Sequence, residues 1–322
     1  MINVDNIVLV VDGGIGKNIV STVIIRNIAK KYPNKRLIVI AGYPDIFLNN
    51  PHIYRVFKFN NPLYFYEDYI KNSKSHVIKI EPYYHADYLY KKRHLADVWC
   101  EMAGVPCDNI TPELYFLENE KKMAQLFIEK NKDKKIILLQ CTGGINPDEN
   151  TKEKQIASKA SMYRRNLSIK TGKIITKQLN AKGYKVFSVQ LPNQPKIEGT
   201  EICNFPIRSI MGLLPYVKGV ICIDSFLQHA AAAVGKKALV LWGGTHPTCL
   251  GYPSNINLTR EVCDNPFCHR PNSYMFDIQP HGFMWDCPHG DKCMDYNPNR
   301  IITALTGQKQ YNIIKDKKNV KN

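Results

Sequence analysis

The chain has 322 residues, enough for two domains with their own cores, and 44% of them are apolar, as in an ordinary globular protein. Lys and Arg number 44 against 28 Asp and Glu, and the formal charge of +16 favours anionic partners: nucleotides, nucleic acid or an acidic membrane surface. No apolar run reaches the ~18 residues of a membrane span, and the N-terminus passes straight into a strand-like run without a basic leader, so neither a span nor a signal peptide is expected and a cytoplasmic location is.

The basic residues are dispersed, with small clusters at Lys91-Lys92-Arg93, Lys132 to Lys135 and after Gly307. Dispersed lysines read as a solvated surface, so nucleic acid is not an expected partner, while peripheral contact with an anionic membrane stays compatible with the charge. Most of the ten cysteines, such as Cys141 and Cys222, stand singly in apolar segments and read as reduced core residues.

Residues 1–50 read as a strand over Ile7–Val11, a turn Asp12-Gly13-Gly14-Ile15-Gly16-Lys17, a helix over Ile19–Lys31 and a strand over Leu37–Ala41. This is the βαβ opening of an α/β domain. The turn invites comparison with the phosphate loop G-x-x-x-x-G-K-[ST]. Val11 stands where its first Gly belongs, and Asn18 where Ser or Thr would hold Mg²⁺, so an ATPase is the weaker reading. Strands over Val56–Phe59 and Val77–Ile80 and a helix over Leu95–Ala103 follow. The stretch from Glu81 to His94 is dense in Tyr and His and carries Glu81, His85 and Asp87, either as a surface loop or as one wall of a site.

A Lys/Glu-rich helix beginning near Glu118 gives way to a new apolar strand, Ile136–Gln140. The change places a domain boundary there: residues 1–130, then 131–306, then a mobile basic tail over 307–322. The strand ends in Cys141-Thr142-Gly143-Gly144, a turn able to touch a ligand. After a polar loop, Asn146 to Lys159, the run Tyr163-Arg164-Arg165-Asn166-Leu167-Ser168 opens a helix reaching about Ala181. Paired arginines suit a diphosphate, and they also suit plain solvent. A strand over Val186–Leu191 and a helix over Ile207–Val217 lead into Gly219.

From Gly219 to Gly244 the pattern is strand (Val220–Ile223), helix (Phe226–Val234, closed by Gly235) and strand (Ala238–Trp242). Asp224 and Ser225 sit at the strand-to-helix turn, where either can cap the helix. Free N–H groups at such a turn bind phosphate, and His229 lies one helical turn on. The plainer alternative makes Asp224 a cap and His229 a core histidine. Near the end, Cys263, Cys268, Cys287 and Cys293 are spaced C-x4-C-x18-C-x5-C among Pro, Gly, Asp and His. Four thiolates can close a tetrahedral site for Zn or Fe, with His269, His281 or His289 as substitutes for one ligand. Pro298 to Leu305 reads as a last helix.

The run Asp224 to Pro247, D-S-F-L-Q-H-A-A-A-A-V-G-K-K-A-L-V-L-W-G-G-T-H-P, resembles the signature of glycosyltransferase family 9, the heptosyltransferase-like enzymes. Asp224, Ser225, His229, Ala231 to Ala233, Gly243, Thr245 and Pro247 fall in register, while Phe226 and Lys237 replace the usual Gly and Pro. The first turn is similar to the family's G-x-[IL]-G-D, with Lys17 in place of the Asp that is its proposed general base. His94 to Asp97 and Met102 to Pro106 are similar to the family's H-x-x-[DE] helix ending in L-G-[IVL]-P, and Cys293-Met294 to its C-x5-C-M ending.

The resemblance implies a GT-B architecture, two Rossmann-like α/β domains facing a central cleft. It implies inverting transfer of a heptose-like sugar or hexose from a nucleotide-diphosphate sugar to a glycan, lipid-linked glycan or protein. Asp12 is favoured as base and Lys17 as a phosphate-supporting cation, with Glu81, His85 and Asp87 on the acceptor side. Gly14, Gly16, Thr142, Gly143, Arg164, Arg165, Asp224, Ser225, Phe226 and His229 would bind the donor, Asp224 holding a sugar hydroxyl. Cys263, Cys268, Cys287 and Cys293 would hold structural Zn or Fe, which some related enzymes bind as iron. No D-x-D motif lies at a fitting place, so no catalytic metal is expected. A nucleotide-sugar-binding protein without transferase activity is the alternative, since Lys17 stands where the base should be.

Overall fold

A computed structural model describes residues 5–60, 62–71, 73–143, 165–192, 194–263, 266–268, 278–279, 282–283 and 292–307. The apolar runs form two parallel sheets. In the first, β1 (Asn6–Val11), β2 (Arg36–Ala41), β3 (Arg55–Lys58) and β4 (Ser75–Lys79) stand in the order β3-β2-β1-β4. The second is built from β5 (Lys135–Gln140), β6 (Tyr184–Ser188), β7 (Glu201–Ile202), β8 (Gly219–Ile223), β9 (Leu239–Leu241) and β10 (Ile256–Leu258), in the order β10-β9-β8-β5-β6-β7. Parallel strands covered on both faces read as unbroken apolar runs. All five residues of β8 are accordingly buried.

The helices are α1 (Ile15–Lys31), α2 (Ala86–Leu89), α3 (Leu95–Met102), α4 (Glu118–Lys130), α5 (Ile169–Ala181), α6 (Ile207–Leu213), α7 (Phe226–Ala233), α8 (Pro247–Leu250) and α9 (Pro298–Thr306). One apolar cluster takes in a face of each sheet and the helices α1, α3, α6 and α7. It holds Ile7, Leu9 and Val11 of β1 and Val220 and Cys222 of β8. The alternate residues Ile221 and Ile223 turn to a second cluster under α5 and α9. The helix α1 is buried from Lys17 to Ile28, so its polar side chains all need partners. Arg26 finds Asp108 at 2.8 Å and Glu113 at 2.9 Å.

A second buried arginine ties the parts together. Arg208, on α6, donates to Glu120 on α4 at 2.5 Å, to the Asp45 carbonyl at 3.0 Å, and to the carbonyl of Tyr115. Two expected elements are shorter than their apolar runs: the strand from Val186 stops at Ser188 and the helix from Ile207 at Leu213. The edge strands β7 and β10, of two and three residues, are too short for a period-2 pattern to register. The expected tail lies outside the described residues, apart from Gly307.

Candidate active site

Both sheets place a strand-to-helix turn at the carboxyl end of a central strand, where ligands of open α/β sheets lie. The first turn runs from Asp12 to Lys17. Gly13 adopts φ +84°, a left-handed conformation, and a Cβ there would come 3.1 Å from Lys17 Cδ. Gly14 precedes α1 without a side-chain cap. Instead Asn18 reaches back, donating to the Gly14 carbonyl at 2.9 Å. Asn18 is fully buried, and its amide is occupied by the turn.

Lys17 is 6% exposed. Its ammonium donates to Asp12 Oδ1 at 2.6 Å and Glu81 Oε2 at 2.7 Å, and lies 5.4 Å from the Tyr83 ring centroid and 5.7 Å from that of Trp99. Two carboxylates and two ring faces thus surround one cation. The Asp12 side chain is 47% exposed, and no hydrogen bond from a described residue reaches its Oδ2. Glu81 also caps the turn after β4, its Oε1 accepting from Tyr83 N at 3.3 Å. Burial, then the Glu81 charge, raises Tyr83 well above the usual phenol range, and Asp224, Arg165 and Asp12 also act on it.

His85 and Asp87 are placed otherwise. His85 Nδ1 accepts from Asp87 N at 3.2 Å as the cap of α2, and its Nε2 lies 3.5 Å from Glu101. Asp87 pairs with Arg93 at 3.3 Å, alongside Asp97 and Glu101. Of the three residues expected on the acceptor side, the structure brings Glu81 to Lys17 and gathers the other two around Arg93.

The second turn is dry. Asp224 is 3% exposed; its Oδ1 accepts from Gln228 Nε2 at 3.0 Å and its Oδ2 from Thr245 Oγ1 at 2.7 Å. Burial pushes its carboxyl above the ordinary range, against the Arg165 charge and those two hydrogen bonds. Ser225 occupies the cap position of α7 without a side-chain cap bond, contrary to the expected use of its hydroxyl. Its Oγ accepts from Gln140 Nε2 at 3.0 Å, linking the ends of β5 and β8. His229 is buried, with Nδ1 2.8 Å from the Tyr252 hydroxyl, and burial pulls its imidazole down to about 3. His94, before α3, also packs on Tyr252, with ring centroids 5.3 Å apart and the planes tilted, and is lowered likewise to about 3.

Around this turn, Thr142 Oγ1 donates to Gln194 Oε1 at 2.7 Å and Gly143 N to Asn166 Oδ1 at 3.0 Å. A Cβ on Gly143 would stand 3.2 Å from Ile223, 3.5 Å from Ser225 Oγ and 3.7 Å from Arg165 Nε. Arg165 Nη1 donates weakly to the Asp224 carbonyl at 3.4 Å, while its buried Nε finds no hydrogen-bond partner. Arg164 lies outside the described residues. The two turns touch: a Cβ on Gly16 would come 3.0 Å from His229 Cδ2 and 3.7 Å from Phe226 Cα. The Gln140, Asn18 and Tyr83 contributions went unread in the sequence. Gln140, a lone amide closing an apolar strand, was the readable hint among them.

Cys263, Cys268 and Cys293 are partly buried, and Cys287 lies outside the described residues, as do His269, His281 and His289. No group of three or more metal-ligating side chains occurs among the described residues. Between the first two cysteines, Phe267 packs edge-on against His246 at 4.5 Å, and the Pro266 carbonyl accepts from Lys91 at 3.2 Å. No helix among the described residues is long and apolar enough to cross a membrane.

No family model and no curated protein matches the sequence. Solved structures do match the fold. The glycosyl transferase family 9 from Veillonella parvula superposes with a TM-score of 0.64 at 15% identity, over 94% of this chain and 96% of its own. The E. coli ADP-heptose LPS heptosyltransferase II gives 0.60 at 11%, over 94% and 97%. The dodecameric, iron-containing heptosyltransferase TibC of enterotoxigenic E. coli, solved with ADP-D-β-D-heptose, gives 0.61 at 12%, over 94% and 76%. With two parallel sheets whose strand-to-helix turns touch at Gly16 and His229, the chain has the GT-B fold shared by this family 9 glycosyl transferase and these heptosyltransferases.

Proposed function

We propose that the protein is a glycosyltransferase that moves a sugar, heptose-like or hexose, from a nucleotide-diphosphate sugar to a glycan, lipid-linked glycan or protein, with inversion. The observation that carries this reading is the contact between the turn that holds a half-exposed carboxylate, Asp12, and a turn that offers Arg165 and the N–H groups opening α7. Asp12 Oδ2 takes the proton of the acceptor hydroxyl as its oxygen attacks the anomeric carbon. The bond from that carbon to the diphosphate breaks, and the nucleoside diphosphate leaves with the electron pair. Arg165, with Arg164, Thr142 and Gly143 near it in sequence or space, and the α7 N–H groups at Ser225 and Phe226 stabilise the leaving charge. Lys17, already paired with two carboxylates, orients Asp12 and Glu81 instead of meeting phosphate. Asp224 and His229 hold the donor turn in shape.

Cys263, Cys268, Cys287 and Cys293 hold a structural Zn or Fe in this reading, and the protein works in the cytoplasm. Elemental analysis of protein purified without chelator gives about one metal per chain; metal-free protein of unchanged stability removes that part. The central test is a thermal-shift screen with ADP-, GDP-, UDP- and CMP-sugars, followed by turnover of whichever binds. Binding without hydrolysis or transfer for any acceptor supports the second reading, a nucleotide-sugar-binding protein, which the replacement of a family Asp by Lys17 favours. Turnover of ATP with Mg²⁺ and indifference to sugars would defeat both.

A further inference from the structure

The two sheets are covered unequally. The six-stranded sheet has packed helices against both faces. The four-stranded sheet has α1 and α3 on one face; on the other, the non-strand side chains packed on it among the described residues are Phe65 and Tyr69. With Phe57 they form a trio of rings, 5.6 to 5.8 Å apart, over the buried Val8 and Ile38. The register puts Val77 beside Val8 and Lys79 beside Val10 on this same face, and Val77 is 49% exposed.

The outer side of the covering segment is apolar as well. Leu63, Tyr64 and Tyr66 are 66%, 75% and 60% exposed. Tyr64 also stands at φ 57°, a left-handed conformation that costs a side chain of this kind about 1–2 kcal/mol. Packing within the chain does not offset that strain, because the ring projects into solvent. A contiguous apolar protrusion of this kind marks a contact surface.

Charge identifies the occupant. Arg55, Lys71, Lys74 and Lys79 are exposed on the same stretch, against two exposed acids, Glu67 and Asp68. A second copy of the chain would set cations against cations. We propose that this face docks the protein on an anionic bilayer. Leu63, Tyr64 and Tyr66 enter the headgroup region, as interfacial aromatics do, while Lys71 and Lys74 meet lipid phosphates. The strand β4, which carries Val77 and Lys79, runs directly into Glu81, so docking sets the acceptor side of the site against the lipid surface. The inference holds whether or not the chain transfers sugar.

Flotation of the full chain with vesicles of phosphatidylcholine alone and of phosphatidylcholine with phosphatidylglycerol, at low and high salt, tests it. Binding to the anionic vesicles and its loss at high salt are expected. Lys71→Glu with Lys74→Glu should weaken binding at least about fivefold per lysine. Leu63→Asp with Tyr64→Asp should abolish it at an unchanged thermal midpoint, since Asp tolerates the left-handed backbone. Lys182→Glu, an exposed cation beyond α5, should leave it as it is. Absence of wild-type binding overturns the proposal, and so does wild-type binding by the Leu63/Tyr64 variant. A self-association seen without vesicles and removed by those same changes overturns it too, by assigning the face to a second copy.

Discussion

The two strand-to-helix turns occupy equivalent places in their sheets and treat their carboxylates in opposite ways. Asp12 is half exposed and faces a buried ammonium; Asp224 is buried and held by two neutral donors, Thr245 and Gln228. A carboxylate beside water can be approached from solution without unfolding anything. A desolvated one bound on both oxygens is committed to holding its neighbours in place. The residues that carry the longest resemblance therefore lie in the buried turn, and the carboxylate open to solvent lies in the turn that departs from it at Lys17.

The largest effect should fall on the wet turn. Asp12→Asn keeps the shape and the contact with Lys17 but removes basicity, and should lower kcat by roughly 10²–10⁴-fold with donor affinity nearly unchanged. Near wild-type turnover of Asp12→Asn would move the base to Glu81 and erase the contrast between the turns.

The dryness of the second turn can be titrated. Burial lowers both His94 and His229 to about 3, from the ordinary 6.5, so both are neutral in the fold. As pH falls below 6.5 the unfolded chain binds protons first. Stability should be full above that pH and decline by up to about 1.4 kcal/mol per pH unit for each imidazole until about pH 3. Urea midpoints measured across that window check this, and His94→Asn, which keeps an N-cap acceptor, should flatten the slope. A midpoint that stays level from pH 6 to pH 4 contradicts a water-free turn.

Replacing Lys17 by Met strands Asp12 and Glu81 beside each other. The loss of two charge-assisted hydrogen bonds should cost about 1.5–3 kcal/mol, limited because both carboxylates retain some water. A fall in kcat larger than the fall in donor affinity, read in steady-state kinetics, separates orientation of the base from contact with phosphate.

The smallest change is expected where the carboxylate is architectural. Asp224→Asn can still accept from Gln228 and donate to Thr245, so stability should move by less than about 1 kcal/mol. Asp224→Ala, leaving the Thr245 hydroxyl unbonded and Gln228 Nε2 with the Leu250 carbonyl alone, should cost about 1–3 kcal/mol. Equal melting of the Ala and Asn variants would show that the two hydrogen bonds do not organise this turn.

Much of the architecture was legible because parallel strands buried on both faces announce themselves as runs such as Ile7–Val11 and Val220–Ile223. The edge strand Glu201–Ile202 carries too few residues to show any period. At the site, sequence order placed Asp12 and Lys17 together but could not supply Glu81, which arrives from β4 through a β1–β4 pairing. The Tyr/His-rich stretch looked uniform, and only its folding separates Glu81 from the Arg93 cluster of His85 and Asp87. Ser225 is a sound cap by type, yet Gln140 from a distant strand claims its hydroxyl. Local preference gave way each time to a partner that neighbouring sequence does not contain.

The contact between Gly16 and the His229 ring has a consequence for how such a chain can change. A methyl group on the first helix would press against the ring opposite, which must give by a few tenths of an ångström while it is held by its bond to Tyr252. Positions 16 and 229, more than two hundred residues apart, are therefore coupled: a larger residue at 16 is easier to accept once 229 is smaller.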